Sequence, residues 1–216
     1  MRKFLCTLLA LVWASATFAQ TGLEILNRMN EMIDSHADEG VSMFIDVKIP
    51  VIGNVSTRTI RVGDKTRMDL EVKGKKIITF LEDTIQWIYS PEDNQVVMTN
   101  AATQVTSNPA ADAGMDVGMF SDVAEGYDIT IKSENLVKWE LACKKKKSNP
   151  DNDAPKNITI EVRKETYQPL SFRTKIMGMT MTMRDFTFGL SEDMVTFNPD
   201  KYPGIKIIDQ RGEKKE

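Results

Sequence analysis

The chain has 216 residues, which is enough for one domain with a sizeable hydrophobic core. Hydrophobic residues make up 41% and charged residues 27%, which is the composition of an ordinary soluble globular protein. The formal net charge of −3 excludes a general electrostatic attraction to nucleic acid or to an anionic membrane surface.

Residues 1–19 have the pattern of a signal peptide. The N-terminus is positively charged from Arg2 onward, an apolar run covers residues 4–12, and small residues precede the expected cleavage site after Ala19. We therefore expect cleavage before Gln20. The apolar run is too short to span a membrane as a helix.

The mature chain is predicted to form one domain over residues 20–216. Cys6 lies inside the apolar run rather than at the cleavage site, so we expect no lipid anchor. Cleavage leaves Cys143 as the only cysteine, which excludes an intrachain disulfide. Its apolar neighbours favour a buried small hydrophobe over a reactive thiol.

The first predicted element is an amphipathic helix over residues 22–35. Thr21 and Glu24 have the spacing of a capping box at its start. Leu26 and Met29 belong to an apolar stripe with helical spacing. His36 is the only histidine and follows the helix, where a capping role is favoured.

After the helix the hydrophobic period changes to two, with turn residues between short segments. This pattern predicts an antiparallel meander rather than alternating strands and helices. The predicted strands cover residues 43–49, 57–62, 67–72, 76–81, 85–89, 95–99, 127–132, 136–143, 157–163, 170–176 and 176–188. Residues 195–209 contain two prolines, and we expect them to end against an edge of the sheet.

The segment over residues 100–126 interrupts the meander. It is rich in Ala, Asp and Gly, and Met115, Met119 and Phe120 contribute to a loose apolar stripe. Its glycines weaken any helix, so we expect a partly helical flap. A surface excursion with a small core of its own is the alternative.

Four methionines, Met177, Met179, Met181 and Met183, occupy every second position of one stretch. Gly or Thr lies between them, so a single strand would place all four thioethers on one face. Methionine is flexible and polarisable and suits apolar surfaces that fit more than one shape. The stretch is therefore either a core strand or the wall of an adaptable apolar cavity, and the methionines of the flap favour the cavity.

The sequence offers little for catalysis. One histidine and one mature cysteine do not provide the ligands of a Cys/His zinc site, and no Gly-x-Ser-x-Gly motif is present. We expect no enzyme activity, no metal and no cofactor. The lysines at residues 144–147 are interpreted as a solvated flank of a hairpin, with docking to an acidic partner or anionic lipid as the alternative.

Two motifs resemble the LolA family of periplasmic lipoprotein carriers. The segment QWIYSPEDNQV over residues 86–96 is similar to the family's Trp-x-Tyr-x-Pro hairpin, through Trp87 and Tyr89. The segment TFNPDKYPGIKIID over residues 196–209 is similar to its closing Phe-x-Phe-x-Pro-x-Gly segment, with Asn198 in place of the second Phe.

The resemblance implies an α+β, mainly antiparallel fold. The expected architecture is a half-open β-barrel of about eleven strands with a helical lid, as in LolA and LolB. In such carriers an Arg-Pro pair tethers the lid. This chain has no such pair, and Arg61 and Arg67 are the candidates for that role.

The resulting hypothesis is a monomeric periplasmic carrier that shelters acyl chains of lipoproteins, or another lipid. The resemblance implies an inner-membrane lipoprotein-release transporter and an outer-membrane acceptor as partners. The candidate cavity residues are Met177, Met179, Met181, Met183, Trp87, Tyr89, Met115, Met119, Phe120, Leu26 and Met29. A lipid-sensing or protein-interaction domain of the same fold, without catalysis, is the alternative.

Overall fold

The structure is a computed structural model that describes residues 20–36, 38–51, 53–72, 74–101 and 119–212. The helices are α1 (Gly22–Asp34) and α2 (Met119–Gly126), with short 3-10 turns at Glu192–Met194 and Pro199–Lys201. The strands are β1 (Gly40–Ile49), β2 (Gly53–Val62), β3 (Lys65–Val72), β4 (Lys75–Glu82), β5 (Ile85–Ser90), β6 (Gln95–Asn100), β7 (Tyr127–Glu134), β8 (Lys138–Lys145), β9 (Asn157–Arg163), β10 (Pro169–Ile176), β11 (Met179–Leu190) and β12 (Lys206–Asp209).

All described strands belong to one sheet, in the order β12-β6-β5-β4-β3-β2-β1-β11-β10-β9-β8-β7. Two meanders, β1–β6 and β7–β11, meet where β1 pairs with β11. The two edge strands are β12 and β7, so the sheet is open. The connection over residues 101–118 and α2 joins β6, near one edge, to β7 at the other.

The predicted fold class is confirmed as a mainly antiparallel, half-open sheet with helices. The described chain has twelve strands instead of about eleven, because the C-terminal segment forms β12 and pairs parallel with β6. The prediction that this segment ends at the sheet edge is therefore confirmed.

Helix α1 begins with the predicted capping box. The Glu24 backbone N–H donates to Thr21 Oγ1 at 3.2 Å, and the Thr21 backbone N–H donates to Glu24 Oε2 at 2.8 Å. At the other end, His36 Nδ1 lies 2.9 Å from the carbonyl oxygen of Met32. Both caps satisfy backbone groups that a helix end leaves without intrahelical partners.

The strand register assigns each residue to one of two faces, because directly paired residues point to the same side of a sheet. Met183 pairs with Ile45, and Ile45 with Thr57. Trp87 pairs with Phe80, and the line of pairs continues through Arg67 to Ile60. Thr57 and Ile60 are three positions apart on β2 and so lie on opposite faces.

We call the face that carries Met183 the helix face and the face that carries Trp87 the outer face. The helix face packs against α1 and forms the larger core, with Ile25, Leu26, Met29, Leu141, Ile160, Phe172 and Met183 among its buried members. The outer face of β4–β6 packs against the C-terminal segment in a second cluster, formed by Ile78, Phe80, Tyr89, Val96 and Phe197 with Trp87, Tyr202 and Ile205.

The methionine stretch is not one strand, contrary to prediction. Met177 and Gly178 form the two-residue turn between β10 and β11, with φ values of 50° and 80°. Positive φ at both positions is typical of a type I′ hairpin turn, which matches the twist of the flanking strands. The side chain of Met177 is 90% exposed, whereas Met179, Met181 and Met183 share the helix face.

Candidate functional site

A cavity of about 590 Å³ lies on the helix face, near the end of the sheet where β10 turns into β11. This volume is within the range of sites that bind small organic ligands. The lining residues come from α2 and the start of β7, from the β8–β9 connection and from β9–β11. They are Val123, Glu125, Gly126, Tyr127, Ser148, Asn149, Pro150, Asp151, Ala154, Pro155, Ile158, Phe172, Thr174, Ile176, Met181 and Met183.

The floor of the cavity is the sheet, and it is apolar. Ile158, Phe172 and Met183 are buried members of the helix-face core, and Met181 packs against them half-buried. Thr174 is the polar residue among them, and its Oγ1 donates to the Asn157 carbonyl oxygen at 3.0 Å. Since that hydroxyl is already paired, the floor can bury hydrocarbon without leaving its donor unsatisfied.

The roof of the cavity is formed by α2 and the connection between β8 and β9. We call residues 148–155 of this connection the roof loop. Tyr127 Oη donates to the Pro155 carbonyl oxygen at 2.8 Å, which fixes one end of the loop. Burial, together with the nearby Asp151, raises the pKa of Tyr127, so the hydroxyl keeps the proton that it donates.

Two of the lysines at 144–147 have structural partners at this roof. Lys146 Nζ donates to the Glu125 carbonyl oxygen at 2.8 Å, at the C-terminal end of α2, where a cation is favourable. Lys145 Nζ donates to backbone carbonyl oxygens of the roof loop. The sequence interpretation of a plain solvated flank therefore missed the hydrogen bonds by which these two lysines hold the roof.

Two of the predicted methionines, Met181 and Met183, line the cavity. Met179 is half-buried at the start of β11 and pairs with the cavity residue Ile176. Met177 is in the exposed turn, because the chain reverses there, and is not brought to the cavity. Lipid binding by these side chains stays a prediction.

Leu26 and Met29 of α1 are fully buried in the helix-face core. They lie in the same cluster as Met183, but they are packed core side chains rather than lining residues of the described cavity.

Trp87 and Tyr89 were expected beside the methionines, and the structure places them on the other side of the sheet. The Trp87 ring stacks on the Phe197 ring with centroids 4.7 Å apart, and the ring centroids of Tyr89 and Tyr202 are 4.5 Å apart. The reason is the register: both side chains pair in line with Phe80 and Ile78 of the outer face. The sequence could not supply this, because it does not reveal how strands are aligned.

The candidate tether residues Arg61 and Arg67 are on different faces. Arg61 Nε donates to the Gly63 carbonyl oxygen at 3.0 Å. Arg67 binds both carboxylate oxygens of Asp69, at 2.7 and 3.0 Å, and its guanidinium lies 5.2 Å from the Phe80 ring centroid. Arg67 Nη1 is also 3.5 Å from the Met194 carbonyl oxygen, so this side chain contacts the C-terminal segment.

Met115 lies outside the described residues, as do the rest of residues 102–118 and the predicted signal peptide. Met119 and Phe120 are in α2, for which the helical backbone is described at these two positions. The partly helical character expected for residues 100–126 is therefore found in their last third. The roles of the three side chains stay predictions.

Cys143 is buried in the helix-face core, and burial raises the pKa of its thiol to about 12. This agrees with the interpretation of a small buried hydrophobe. Among the described residues, no group of three or more His, Cys, Asp or Glu side chains could hold a metal ion. None of the described helices is long and apolar enough to cross a membrane.

Solved structures share this fold at low sequence identity. LprF from Mycobacterium bovis has a TM-score of 0.50 and 9% identity, with 84% of this chain and 99% of LprF covered. A LolA superfamily protein from Nitrosomonas europaea also matches, with a TM-score of 0.32, 10% identity, and 83% and 99% of the two chains covered.

A chain of the MucA/MucB complex from Pseudomonas aeruginosa matches with a TM-score of 0.45 and 14% identity, covering 83% of this chain and 62% of that one. No protein-family model and no curated protein matches the sequence. At these identities the likenesses show the fold alone.

Proposed function

We propose that this LolA-like protein is a non-catalytic periplasmic carrier that shelters acyl chains in the cavity on its helix face. The observation that carries the proposal is the cavity of about 590 Å³ with an apolar floor that includes Met181 and Met183. Burial of hydrocarbon contributes roughly 0.8 kcal/mol per methylene, so such a floor binds acyl chains without further chemistry.

The cargo within this proposal is the acyl chains of lipoproteins or of another lipid. Unbranched methionines adapt to chains of different shape better than Leu or Ile, which supports a carrier with several cargoes. An inner-membrane transporter would load the protein, and an outer-membrane acceptor would unload it. The ionisable lining residues Glu125 and Asp151 are exposed at the rim, while the apolar floor lies beneath them.

Met181→Asp and Met177→Asp form a matched pair of variants that tests the cavity. Met181 lines the cavity, and Met177 is exposed in a turn whose positive φ Asp tolerates well. We expect Met181→Asp to weaken binding of cis-parinaric acid at least tenfold, because a carboxylate in an apolar site is costly. Met177→Asp should bind as the wild type does.

Lipid extraction and native mass spectrometry of protein purified from the periplasm identify the natural cargo. Equal binding by both variants would contradict the proposed site. A wild-type protein that neither carries lipid nor binds the fatty acid would contradict the carrier function and favour the sensing or interaction domain.

A further inference from the structure

The roof loop is attached to the rest of the protein mainly by hydrogen bonds. It contributes six lining residues to the cavity, but none of its residues belongs to the buried core. Pro150 and Asp151 are exposed, and Ala154 and Pro155 are half-buried. Segments with few buried apolar contacts and solvent-exposed hydrogen bonds open locally at a lower free energy than the whole fold.

Lys145 binds three backbone carbonyl groups of this loop. Its Nζ donates to the carbonyl oxygen of Asp151, and it lies 3.2 Å from that of Asn152 and 3.3 Å from that of Ala154. An ammonium group has three N–H donors, so one side chain uses its whole capacity on one loop. Hydrogen bonds from a charged donor are roughly twice as strong as neutral ones.

Other bonds connect the loop to the other half of the roof. Asn149 Nδ2 donates to the Gly126 carbonyl oxygen at 3.2 Å, at the end of α2. Tyr127, the first residue of β7, holds Pro155 at the far end of the loop. The loop therefore lies against α2 and β7, and together they cover part of the cavity floor, on which Ile158 is buried and Met181 half-buried.

We propose that the roof loop is the gate of the cavity and that Lys145 is the latch that sets how often the gate opens. Opening by loss of the Lys145 bonds uncovers Ile158 and Met181 while the sheet beneath stays paired. The claim that the loop controls the passage of acyl chains rests on the proposed function. The claim that the loop opens locally does not depend on any ligand, and each claim has its own measurement.

A thiol on the cavity floor reports the opening without any ligand, and Ile158→Cys supplies it. Ile158 lines the cavity and is 4% exposed, and Cys143→Ala removes the only other cysteine of the chain from Gln20 onward. The rate of alkylation of this thiol by iodoacetamide in the processed, ligand-free protein measures how often the roof opens, and the wild type and each variant are compared in this double-substituted background. The dependence of that rate on low urea concentrations separates local from global opening, because the slope scales with the surface exposed.

Lys145→Met removes the latch and keeps the apolar stem of the side chain. We expect its alkylation rate to rise about tenfold, with a shallow urea dependence, as loss of charge-assisted hydrogen bonds implies. Lys144→Met is the matched control, because Lys144 is exposed and its side chain points to the outer face. Its rate should equal that of the wild type.

Tyr127→Phe is a second variant that breaks the contact with Pro155 and keeps the ring. It should raise the rate about fivefold, as the loss of one neutral hydrogen bond implies. Equal rates in the wild type, Lys145→Met and Lys144→Met would overturn the gate. A raised rate with the steep urea dependence of global unfolding would overturn it as well.

Release of cis-parinaric acid from loaded protein tests the role in binding. Lys145→Met should release it about tenfold faster than the wild type and Lys144→Met. If the wild type binds no fatty acid, the proposed function fails, while alkylation still decides the gate. If it binds and all three proteins release it at one rate, the carrier stands and the gate is overturned.

Discussion

The two faces of the sheet are closed with different proportions of aliphatic and aromatic side chains. On the helix face, α1 packs against a core in which aliphatic residues and methionines outnumber rings such as Phe172, and a cavity of about 590 Å³ remains beside them. On the outer face, the C-terminal segment packs through aromatic rings. The centroid of the Phe197 ring lies 4.7 Å from that of Trp87, 5.5 Å from that of Tyr202 and 5.6 Å from that of Phe80.

The difference separates two tasks within one sheet. Rigid rings in stacked or edge-to-face contact favour one arrangement and each add roughly 0.5–1.5 kcal/mol beyond the area that they bury. Methionines have three rotatable bonds and conform to whatever lies against them. We infer that the outer face stabilises the fold, whereas the helix face leaves room for a ligand.

The largest effect is expected on the outer face. Phe197→Ala removes a side chain that is 6% exposed and lies at the centre of the aromatic cluster. The free energy of unfolding should fall by about 3–5 kcal/mol, as for other buried Phe→Ala changes. Urea denaturation measures it, and the emission of Trp87 in a Trp139→Phe background reports the loosened cluster.

Fatty-acid binding by the folded fraction of Phe197→Ala should remain at the wild-type level, because the cavity is on the other face. A variant that stays folded but loses binding would show that the two faces are coupled. That result would contradict the inference that the outer face stabilises the fold while the helix face binds the ligand.

A smaller loss of stability is expected from Met183→Ala on the helix face. Met183 is fully buried and borders the existing cavity. Buried Met→Ala changes cost about 2–5 kcal/mol, and the lower end applies here because the removed volume joins space that is already open. Unlike Phe197→Ala, this variant should also change which fatty acids bind, in favour of bulkier chains. Unchanged selectivity across a series of chain lengths and branching would argue against a ligand contact for Met183.

The sequence predicts most of the fold but only two lining residues of the cavity, Met181 and Met183, for physical reasons. Alternation of apolar and polar residues reveals strands and the side on which neighbours such as Met181 and Met183 point. It does not reveal the register between strands, and for that reason Trp87 was placed on the wrong face. The prediction that Met177 lies in the strand was wrong, because a Met-Gly pair is a weaker turn signal than Asn-Gly or Asp-Gly.

The roof was beyond sequence reasoning for another reason. The bonds of Lys145 go to backbone carbonyl oxygens, which every residue carries, so no side-chain pattern predicts them. The polar stretch over residues 148–155 identifies a loop, but only the fold places that loop over Met181. Helix α1, by contrast, was predictable because its capping box is local.

An ion pair on the outer side of β1 gives the fold a pH dependence. Arg184 Nε donates to Asp46 Oδ2 at 2.5 Å, and Ser56 Oγ donates to Asp46 Oδ1 at 2.6 Å. Burial alone would raise the pKa of Asp46, but hydrogen bonds from Arg184 and Ser56 outweigh it and lower the pKa below its usual 3.8. The contribution to stability is therefore complete above that pH and disappears as the pH falls through the lowered pKa of the folded state.

Asp46→Asn should lower the free energy of unfolding by about 1 kcal/mol at neutral pH, because solvent around the half-exposed Arg184 screens the pair. Urea denaturation of both proteins over a range of pH should show the difference shrinking as the wild-type Asp46 becomes protonated. A difference that persists unchanged in acid would mean that the variant acts through packing. Fatty-acid binding should not change, since Asp46 is on the same side as Trp87.

The smallest effect is expected at the start of α1, which belongs to the helix face alone. Thr21→Ala removes the oxygen that accepts from the Glu24 backbone N–H, and loss of such a cap costs about 1 kcal/mol. Thr21→Ser keeps an acceptor and serves as the control. Amide hydrogen exchange should accelerate in the first turn, around Glu24 and Ile25, and stay unchanged for β4–β6 beneath the aromatic cluster. Equal acceleration of exchange in α1 and in β4–β6 would show that α1 and the outer face unfold as one unit. The two faces would then differ in ligand binding but not in their contribution to stability.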